Sequence, residues 1–314
     1  MAQIVKGKTA IVTGAGSGIN FCFVKLLLQN GCNCLIADLA LRPEAQVVVD
    51  QYSSASPRVI FQKTDVTDWS QLEKMFEVAE KEFGEIDIVC PGAGIYEPPQ
   101  LFSNFWYPPG SPESKDSSFG SKYSLIDVNL THPIRTTQLA IARFANSKTP
   151  KSIIHISSIA AQLPSLTTPM YIATKHAISG FVRSLARLDA IGIRVTAVAP
   201  GFIKTPLWTE QPDKMQIIDE SKDAWVTPEE VAEVMLALVE RDQVNENILG
   251  NSKEEGKMVP IRGGTILEVS KSVRAVLPFN DPGPLGRPGN SLGNPRAAEE
   301  SLLSLVQSGS WVKL

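Results

Sequence analysis

Residues 9–20 read T-A-I-V-T-G-A-G-S-G-I-N, and this stretch decides the fold. A short run of apolar and β-branched residues, the pattern of a buried strand, leads directly into three glycines and then into an apolar helix pattern. Glycine lets the backbone turn tightly and approach a ligand, and a helix N-terminus presents free amide groups to an anion. The stretch therefore predicts a turn that holds a dinucleotide pyrophosphate through Gly14, Ser17, Gly18 and Ile19. A plain strand-to-helix turn is the alternative.

The rest of the chain repeats this alternation of strand and helix patterns. From residue 8 onward, short β-rich runs are separated by longer amphipathic stretches, which is typical of repeated βαβ units. We predict a single Rossmann-like, doubly wound α/β fold with a parallel sheet of about seven strands flanked by helices. The predicted strands are 9–13, 34–37, 59–63, 86–90, 152–157, 194–198 and 265–269. The predicted helices are 18–30, 68–83, 121–145, 169–190 and 227–240.

Two irregular regions interrupt the alternation. Residues 96–120 are rich in proline and aromatic residues and too long for a simple connection, and residues 278–296 repeat Pro-Gly and Gly-Pro steps. We therefore predict one catalytic domain over residues 1–277, with irregular substrate loops at 96–120 and 202–226. Residues 278–314 are predicted to be a Pro/Gly-rich tail in which a short helix could form.

Composition and charge exclude several classes of protein. A formal net charge of −3 without clustered basic residues argues against nucleic-acid binding. No apolar run approaches the ~18 residues of a membrane span, and the N-terminus lacks a signal-peptide pattern, so we expect a cytoplasmic protein. We expect no metal site, because the cysteines and histidines do not stand at metal-ligand spacings: Cys22, Cys32, Cys34, Cys90, His132, His155 and His176.

Carboxylates at two strand ends indicate which dinucleotide binds. Asp38 ends the second strand, twenty residues after Gly18, where it can accept hydrogen bonds from the adenosine ribose and repel a 2′-phosphate. The glycine turn contains no basic residue, so NAD is favoured over NADP, although Arg42 one turn later keeps NADP open. Asp65 and Val66 close the third strand and are predicted to flank the adenine.

Tyr171 and Lys175 stand four residues apart in Y-I-A-T-K, with Ser158 thirteen residues before the tyrosine. On a helix this spacing places the phenol and the ammonium on one face, where the cation favours the phenolate. A phenol normally titrates near ~10, so a tyrosine that acts as a base near neutrality needs such help. Thr168 and Pro169 predict the start of this helix, with the threonine hydroxyl as its cap. A tyrosine and a lysine at this spacing are common on solvent-exposed helix faces, so the spacing alone is weak evidence of function.

Taken together, these motifs resemble the short-chain dehydrogenase/reductase family over residues 6–270. The glycine turn at 13–20 matches the family's T-G-x-x-x-G-x-G, and D-V-N-L and I-H-I-S-S supply its asparagine and serine. The family's N-A-G segment corresponds to Gly92, Ala93 and Gly94, and its P-G-x-x-x-T-P segment to Pro200, Gly201, Ile203 and Thr205 among residues 200–206. The named residues of the N-A-G and P-G-x-x-x-T-P segments are expected to contact the cofactor, as are Tyr171 and Lys175.

Two positions depart from the family pattern. Asn20 stands where the family usually has its third glycine, and Gly92 replaces the asparagine of N-A-G. Neither change removes a chemical group from the expected reaction, but both concern the backbone packing around the cofactor. Within the family, the aromatic insertion and the N-D-P-G-P tail resemble fungal members similar to NAD-linked 15-hydroxyprostaglandin dehydrogenase, some of which act on polyketide alcohols in secondary metabolism.

The resemblance implies a role for each catalytic candidate. Tyr171 would exchange the hydroxyl proton of a secondary alcohol while hydride passes to the nicotinamide, and Lys175 would lower the pKa of the tyrosine and bind the nicotinamide ribose. Ser158 would hydrogen-bond the substrate oxygen, and Asn129 would hold a water linked to Lys175. Ser157 competes with Ser158, and the spacing to Tyr171 favours Ser158.

The irregular loops predict a hydrophobic substrate. Their apolar side chains either line a pocket for a lipid-like or aromatic alcohol or ketone, or pack the loops onto the domain: Tyr96, Phe102, Phe105, Trp106, Tyr107, Phe202, Leu207, Trp208, Met215 and Trp225. By resemblance we also expect a homodimer or homotetramer. A non-catalytic NAD-binding regulatory protein and a repurposed biosynthetic enzyme of the same fold are the alternatives, and net hydride transfer to free NAD distinguishes them from a dehydrogenase.

Overall fold

An eight-stranded sheet forms the centre of the protein. The computed structural model describes residues 2–97, 105–114, 116–145, 147–205, 224–249, 256–279 and 296–309. The strands along the chain are β1 (Thr9–Thr13), β2 (Asn33–Asp38), β3 (Val59–Lys63), β4 (Ile88–Cys90), β5 (Lys151–Ile156), β6 (Ile193–Pro200), β7 (Phe202–Ile203), β8 (Trp225–Val226), β9 (Gln243–Asn245), β10 (Met258–Pro260), β11 (Ile266–Val269) and β12 (Val273–Ala275).

The order of strands in the large sheet is β12-β11-β6-β5-β4-β1-β2-β3. All neighbours pair in parallel except β11 and β12, which are antiparallel. The strand order therefore reverses between β1 and β4, where the carboxyl ends of two adjacent strands open a crevice. The pairs β7–β8 and β9–β10 form separate two-stranded sheets.

Helices cover both faces of the sheet. They are α1 (Gly18–Gln29), α2 (Pro43–Tyr52), α3 (Trp69–Phe83), α4 (124–144), α5 (Pro169–Ser184), α6 (Pro228–Glu240) and α7 (Arg296–Gln307). Buried side chains of α1, α2 and α6 form one core, and those of α3, α4 and α5 form the other. Covered on both faces, strands such as β1 and β6 are buried along their whole length, which accounts for their continuous apolar runs. The predicted doubly wound α/β fold is confirmed.

Several elements differ from the predicted ones, and the two small sheets were not predicted. Strand β12 is an eighth, antiparallel edge strand, and its three residues with a central arginine are too short to give a strand pattern. Helix α2 was missed because Ala45 is its one buried residue, so the helix has little apolar periodicity. The predicted helix 169–190 ends at Ser184, and a 3₁₀ segment, Ala186–Ile191, continues the chain to Gly192.

The predicted tail contains helix α7, which packs Val306 into the second core and pairs Glu299 with Arg187. The domain boundary at residue 277 stays a prediction. Among the described residues, no helix is both long and apolar enough to cross a membrane.

His132 joins the end of β1 to helix α4. Its Nδ1 lies 3.0 Å from the carbonyl oxygen of Val128, which can only accept, so this nitrogen carries the proton. Its Nε2 then accepts from the Thr13 hydroxyl at 3.0 Å. Burial lowers the pKa of His132 to about 4, and burial, together with the nearby charges of His132 and Lys175, lowers the pKa of His155 to about 3. Both rings are therefore held neutral inside the fold.

Acid should therefore destabilise the fold over a defined pH window. The unfolded chain binds more protons than the native protein once the pH falls below 6.5, so each buried histidine should cost about 1.4 kcal/mol of stability per pH unit down to its native pKa. Urea unfolding at several pH values between 7.5 and 5 measures this slope. His132→Gln should be less stable at pH 7.5 but should show a shallower slope; parallel curves for the two proteins would contradict the assignment.

Candidate active site

A cavity of about 750 Å³ occupies the crevice at the carboxyl ends of β1 and β4. This is the point of strand-order reversal at which doubly wound folds bind their ligands. Every residue that the sequence assigns to the cofactor lines this cavity: Gly14, Ser17, Gly18, Ile19, Asp38, Asp65, Val66, Gly92, Ala93, Gly94, Tyr171, Lys175, Pro200, Gly201, Ile203 and Thr205. Ser158 and Arg42 line it as well. Its size and its free amides suit a dinucleotide.

The glycine turn forms one wall of the cavity. Gly14 and Gly18 have φ angles of 69° and 62°, in the left-handed region that favours glycine. A Cβ atom on Gly14 would lie 2.5 Å from the Cα of Ala93, so the turns after β1 and β4 touch backbone to backbone. Ser17 begins helix α1 without a side-chain cap, which leaves the amides of its first turn to face an anion.

Asp38 fixes the adenosine end of the cavity. One carboxylate oxygen accepts from the amide of Gly16 at 2.8 Å, and the other accepts from the amide of Leu39 at 2.7 Å. The carboxylate therefore holds the glycine turn and places negative charge at this end of the cavity, and its contact with a ribose stays a prediction. Arg42 reaches the same end of the cavity and donates its backbone amide to Gly16 at 3.1 Å.

The end of β3 lies beside Asp38. Asp65 accepts from the amide and the hydroxyl of Thr67 at 2.9 Å and 2.8 Å, and Val66 is buried beside the cavity. Asp68, three residues after Asp65, caps helix α3 by accepting from the amide of Ser70 at 2.8 Å. Hydrogen bonds from Ser70 and Gln71 lower the pKa of Asp68 to about 2. Asp65 and Val66 thus line the cavity, where their contact with an adenine stays a prediction, and Asp68 is a helix cap.

The two departures from the family pattern lie in direct contact. Asn20, in the first turn of α1, donates from Nδ2 to the carbonyl oxygen of Gly92 at 2.8 Å. The unusual residues at positions 20 and 92 are therefore parts of one local arrangement.

Tyr171, Ser158 and Lys175 converge at the other end of the cavity. The helix α5 carries the tyrosine and the lysine, and Ser158 follows β5 at the start of a short 3₁₀ segment. A side-chain hydrogen bond from Ser158 lowers the pKa of Tyr171, whereas the hydroxyl of Ser157 pairs with that of Ser179 at 2.7 Å. The geometry therefore brings Ser158, and not Ser157, into contact with the phenol.

The pKa of Tyr171 lies above its ordinary value in the structure, and the lowering expected from Lys175 stays a prediction. Burial raises the pKa of Tyr171 to about 12, against the opposing hydrogen bond from Ser158. Burial also lowers the pKa of Lys175 to about 8. The ammonium donates to the carbonyl oxygen of Ile156 at 2.9 Å and lies 5.5 Å from the centroid of the tyrosine ring. The ammonium thus bonds the end of β5 and lies beside the tyrosine ring.

Asn129 lies behind the cavity wall in a π-helical segment, Asp127–Thr131, inside α4. Such segments occur often at functional sites. Both ends of its side chain bond the backbone of Ile95, accepting from the amide at 2.8 Å and donating to the carbonyl at 2.7 Å. Asn129 therefore holds the segment that follows Gly94, and its link to Lys175 through water stays a prediction.

Glu97 is a residue of this site that the sequence reasoning missed. It is fully buried, and its carboxylate accepts from the amide of Tyr171 at 2.7 Å and from the amide of Phe105 at 2.9 Å. Thr168, the predicted cap of α5, makes no side-chain cap bond, so the helix N-terminus is satisfied by this carboxylate instead. The signal in the sequence was a single acidic residue in the apolar segment G-I-Y-E-P-P.

Tyr96 contacts the catalytic candidate directly. Its ring packs edge to face against Tyr171, with centroids 4.7 Å apart. Phe105 and Trp106 pack against each other but are 57% and 52% exposed. Phe202 packs on Trp225. Among the other predicted substrate-loop residues, four lie outside the described residues: Phe102, Leu207, Trp208 and Met215.

Comparison with known proteins identifies the family. The sequence pattern described as short chain dehydrogenase matches residues 8–216. The chain belongs to the short-chain dehydrogenase/reductase family. This span contains the glycine turn, Asn129, Ser158, Tyr171 and Lys175, so the predicted resemblance is confirmed.

The individual relatives share low sequence identity with this chain. The 15-hydroxyprostaglandin dehydrogenase of Rattus norvegicus, whose name specifies NAD(+), is 28% identical over 270 residues, which cover 80% of this chain and 93% of the relative. A 3-ketoacyl-(acyl-carrier-protein) reductase from Brucella melitensis, solved with NADH, superposes with a TM-score of 0.64 at 23% identity over 85% of this chain and 98% of that chain. An NADPH-dependent 3-quinuclidinone reductase from Rhodotorula rubra gives 0.62 at 23% identity over 75% and 85%. The two structures show the fold alone.

Replacing Glu97 by Gln should lower kcat about tenfold to a hundredfold, because loss of the carboxylate frees the start of α5 and displaces the Tyr171 phenol. KM for the dinucleotide should change little, since Glu97 lies at the tyrosine end of the cavity. Steady-state kinetics on both substrates measure this split. Glu113→Gln, at an exposed acidic residue of the same irregular region, is the matched control. Equal losses in kcat for the two variants would contradict the role given to Glu97.

Proposed function

We propose that the protein is an NAD-dependent oxidoreductase that interconverts a secondary alcohol and a ketone. The observation that carries this proposal is the convergence of Tyr171, Ser158 and Lys175 at one end of a crevice whose other end is the glycine turn. A hydride acceptor and a proton acceptor would then lie side by side, as alcohol oxidation requires. The catalytic domain would span residues 1–277.

Preference for NAD over NADP is supported by Asp38. Its carboxylate lies against Gly16 at the adenosine end of the cavity, where it would repel a 2′-phosphate. The similarity to a dehydrogenase named for NAD(+) agrees with this preference. Arg42, at the same end, is the residue that argues for NADP.

The chain's own residues would hold the cofactor and move the proton. The amides of the first turn of α1 would bind the pyrophosphate, and Asp38 would accept hydrogen bonds from the adenosine ribose. When bound, the nicotinamide supplies the site that accepts or donates hydride. As the phenolate, Tyr171 would take the alcohol proton on its oxygen and become the neutral phenol, and Ser158 would hydrogen-bond the substrate oxygen and stabilise charge that develops there. In the reverse direction Tyr171 donates the proton to the ketone oxygen.

Lys175, as the ammonium, would favour the phenolate of Tyr171 and would hydrogen-bond the nicotinamide ribose. Its lowered pKa of about 8 allows the amine to change protonation state near the working pH.

A hydrophobic or aromatic substrate is supported by Tyr96 at the face of Tyr171 and by the exposed rings of Phe105 and Trp106. Assembly into a homodimer or homotetramer stays a prediction from the family resemblance.

Purified protein should reduce NAD+ with hydrophobic secondary alcohols better than with short polar ones. Tyr171→Phe should lower kcat at least a hundredfold, an order of magnitude typical for loss of a general acid or base, while the Kd for NAD+ stays near that of the unmodified protein. NADH absorbance gives the rates and calorimetry gives the Kd.

Tyr52→Phe, on helix α2 away from the cavity, is the matched control for this assay. Near-normal turnover in Tyr171→Phe would remove Tyr171 from the reaction. NAD+ binding without any turnover across an alcohol and ketone panel would support the non-redox alternative instead.

A further inference from the structure

Asn20 connects three parts of the cofactor crevice. It lies in the first turn of α1, and its Nδ2 donates to the carbonyl oxygens of Gly92 at 2.8 Å and of Gly14 at 3.4 Å. These carbonyls belong to the turns after β4 and β1, the two strands between which the sheet order reverses. The side chain is 8% exposed, and its Oδ1 is buried without a hydrogen-bond partner among the described residues. The connection therefore depends on the amide nitrogen.

The Asn20 side chain occupies the space that a side chain at position 92 would need. A Cβ atom on Gly92 would lie 2.4 Å from Oδ1 and 2.6 Å from Nδ2 of Asn20, closer than real Cβ contacts come. Gly92 does not have a positive φ angle, so its backbone conformation is open to other residues. Position 92 is therefore a glycine because Asn20 is present, and not because its backbone requires one.

The family pattern has the same two residue types in exchanged positions. It has glycine where this chain has Asn20, and asparagine where this chain has Gly92. In this chain the amide side chain and the glycine meet between the start of α1 and the end of β4. The two departures thus compensate for each other.

We propose that Asn20 and Gly92 form a reciprocal pair in which Asn20 is a positioning residue for the cofactor. The Asn20 amide holds the glycine turn against the segment after β4, so that both walls of the crevice are fixed before the dinucleotide binds. A binding site that is ordered in advance loses less entropy on binding, which strengthens affinity. This inference rests on the proposed function, because NAD+ is the ligand that is positioned.

The pair is tested by exchanging each residue alone and then both residues together. Asn20→Gly and Gly92→Asn should each raise the Kd and the KM for NAD+ by about tenfold or more, whereas Asn20→Gly/Gly92→Asn should recover most of that loss, a coupling typical of residues in contact. The double variant should still bind NAD+ more weakly than the natural protein, because glycine is unfavourable inside α1. Calorimetry, steady-state kinetics and urea unfolding without ligand are measured on all four proteins.

Asn20→Asp keeps the shape of the side chain and removes the donor. It should weaken NAD+ binding as Asn20→Gly does, since Oδ1 makes no bond to replace it, and it keeps the test decisive where Gly92→Asn does not fold. Cys22→Ala, at a buried position of the same helix outside the cavity, should lower the urea midpoint and leave the Kd for NAD+ unchanged.

Two results would overturn the pair: losses in the two single variants that simply multiply in the double variant, or an Asn20→Asp protein that binds NAD+ as the natural protein does. A natural protein that does not bind NAD+ would refute the proposed function instead. The Asn20–Gly92 pair would then still be tested by the urea midpoints of the four proteins. The midpoint of the double variant must be higher than the sum of the two single effects predicts.

Discussion

The turns that follow β1 and β4 pack backbone against backbone, and the architecture of the site depends on this contact. Gly14 has no room for a Cβ atom beside Ala93, and Gly92 has none beside Asn20. The amide of Ala93 donates to the Thr13 hydroxyl at 3.1 Å, and that hydroxyl bonds His132. Because the two turns cannot separate without breaking these bonds, the crevice at the reversal of the sheet has fixed walls.

The segment of residues 92–97 carries this constraint from the cofactor end to the catalytic end. Gly92 contacts Asn20, and Ile95 is bonded on both sides by Asn129. Tyr96 then packs on the ring of Tyr171, and Glu97 accepts from the backbone amide of the same residue. A short stretch of chain therefore connects the glycine turn to the start of α5. The position of the Tyr171 phenol relative to the glycine turn therefore depends on this stretch.

Local sequence patterns predicted the elements whose signals are local. The β1–turn–α1 unit, the carboxylate of Asp38 and the i, i+4 pair of Tyr171 and Lys175 could be read from spacing, because one strand or one helix places each of them. Strand β12 and helix α2 could not be predicted in this way, since β12 depends on pairing with β11 and α2 buries little apolar surface.

Contacts between distant segments explain the remaining differences. Glu97 reaches Tyr171 across 74 residues, and Asn20 reaches Gly92 across 72, so neither relation leaves a pattern in the sequence. The direction of the Tyr171 pKa shift also depends on burial, which spacing does not reveal. Similarly, the hydroxyls of Ser157 and Ser158 are neighbours in sequence but face different partners in the fold.

Calorimetric titration of the protein with NAD+ and with NADP+ measures whether the crevice between β1 and β4 is a dinucleotide site selected by Asp38. We expect one NAD+ to bind per chain, and NADP+ to bind at least about tenfold more weakly because of the carboxylate beside its 2′-phosphate. Asp38→Asn should reduce that difference in affinity. Absence of binding by either dinucleotide, or tighter binding of NADP+, would refute the assignment of this crevice.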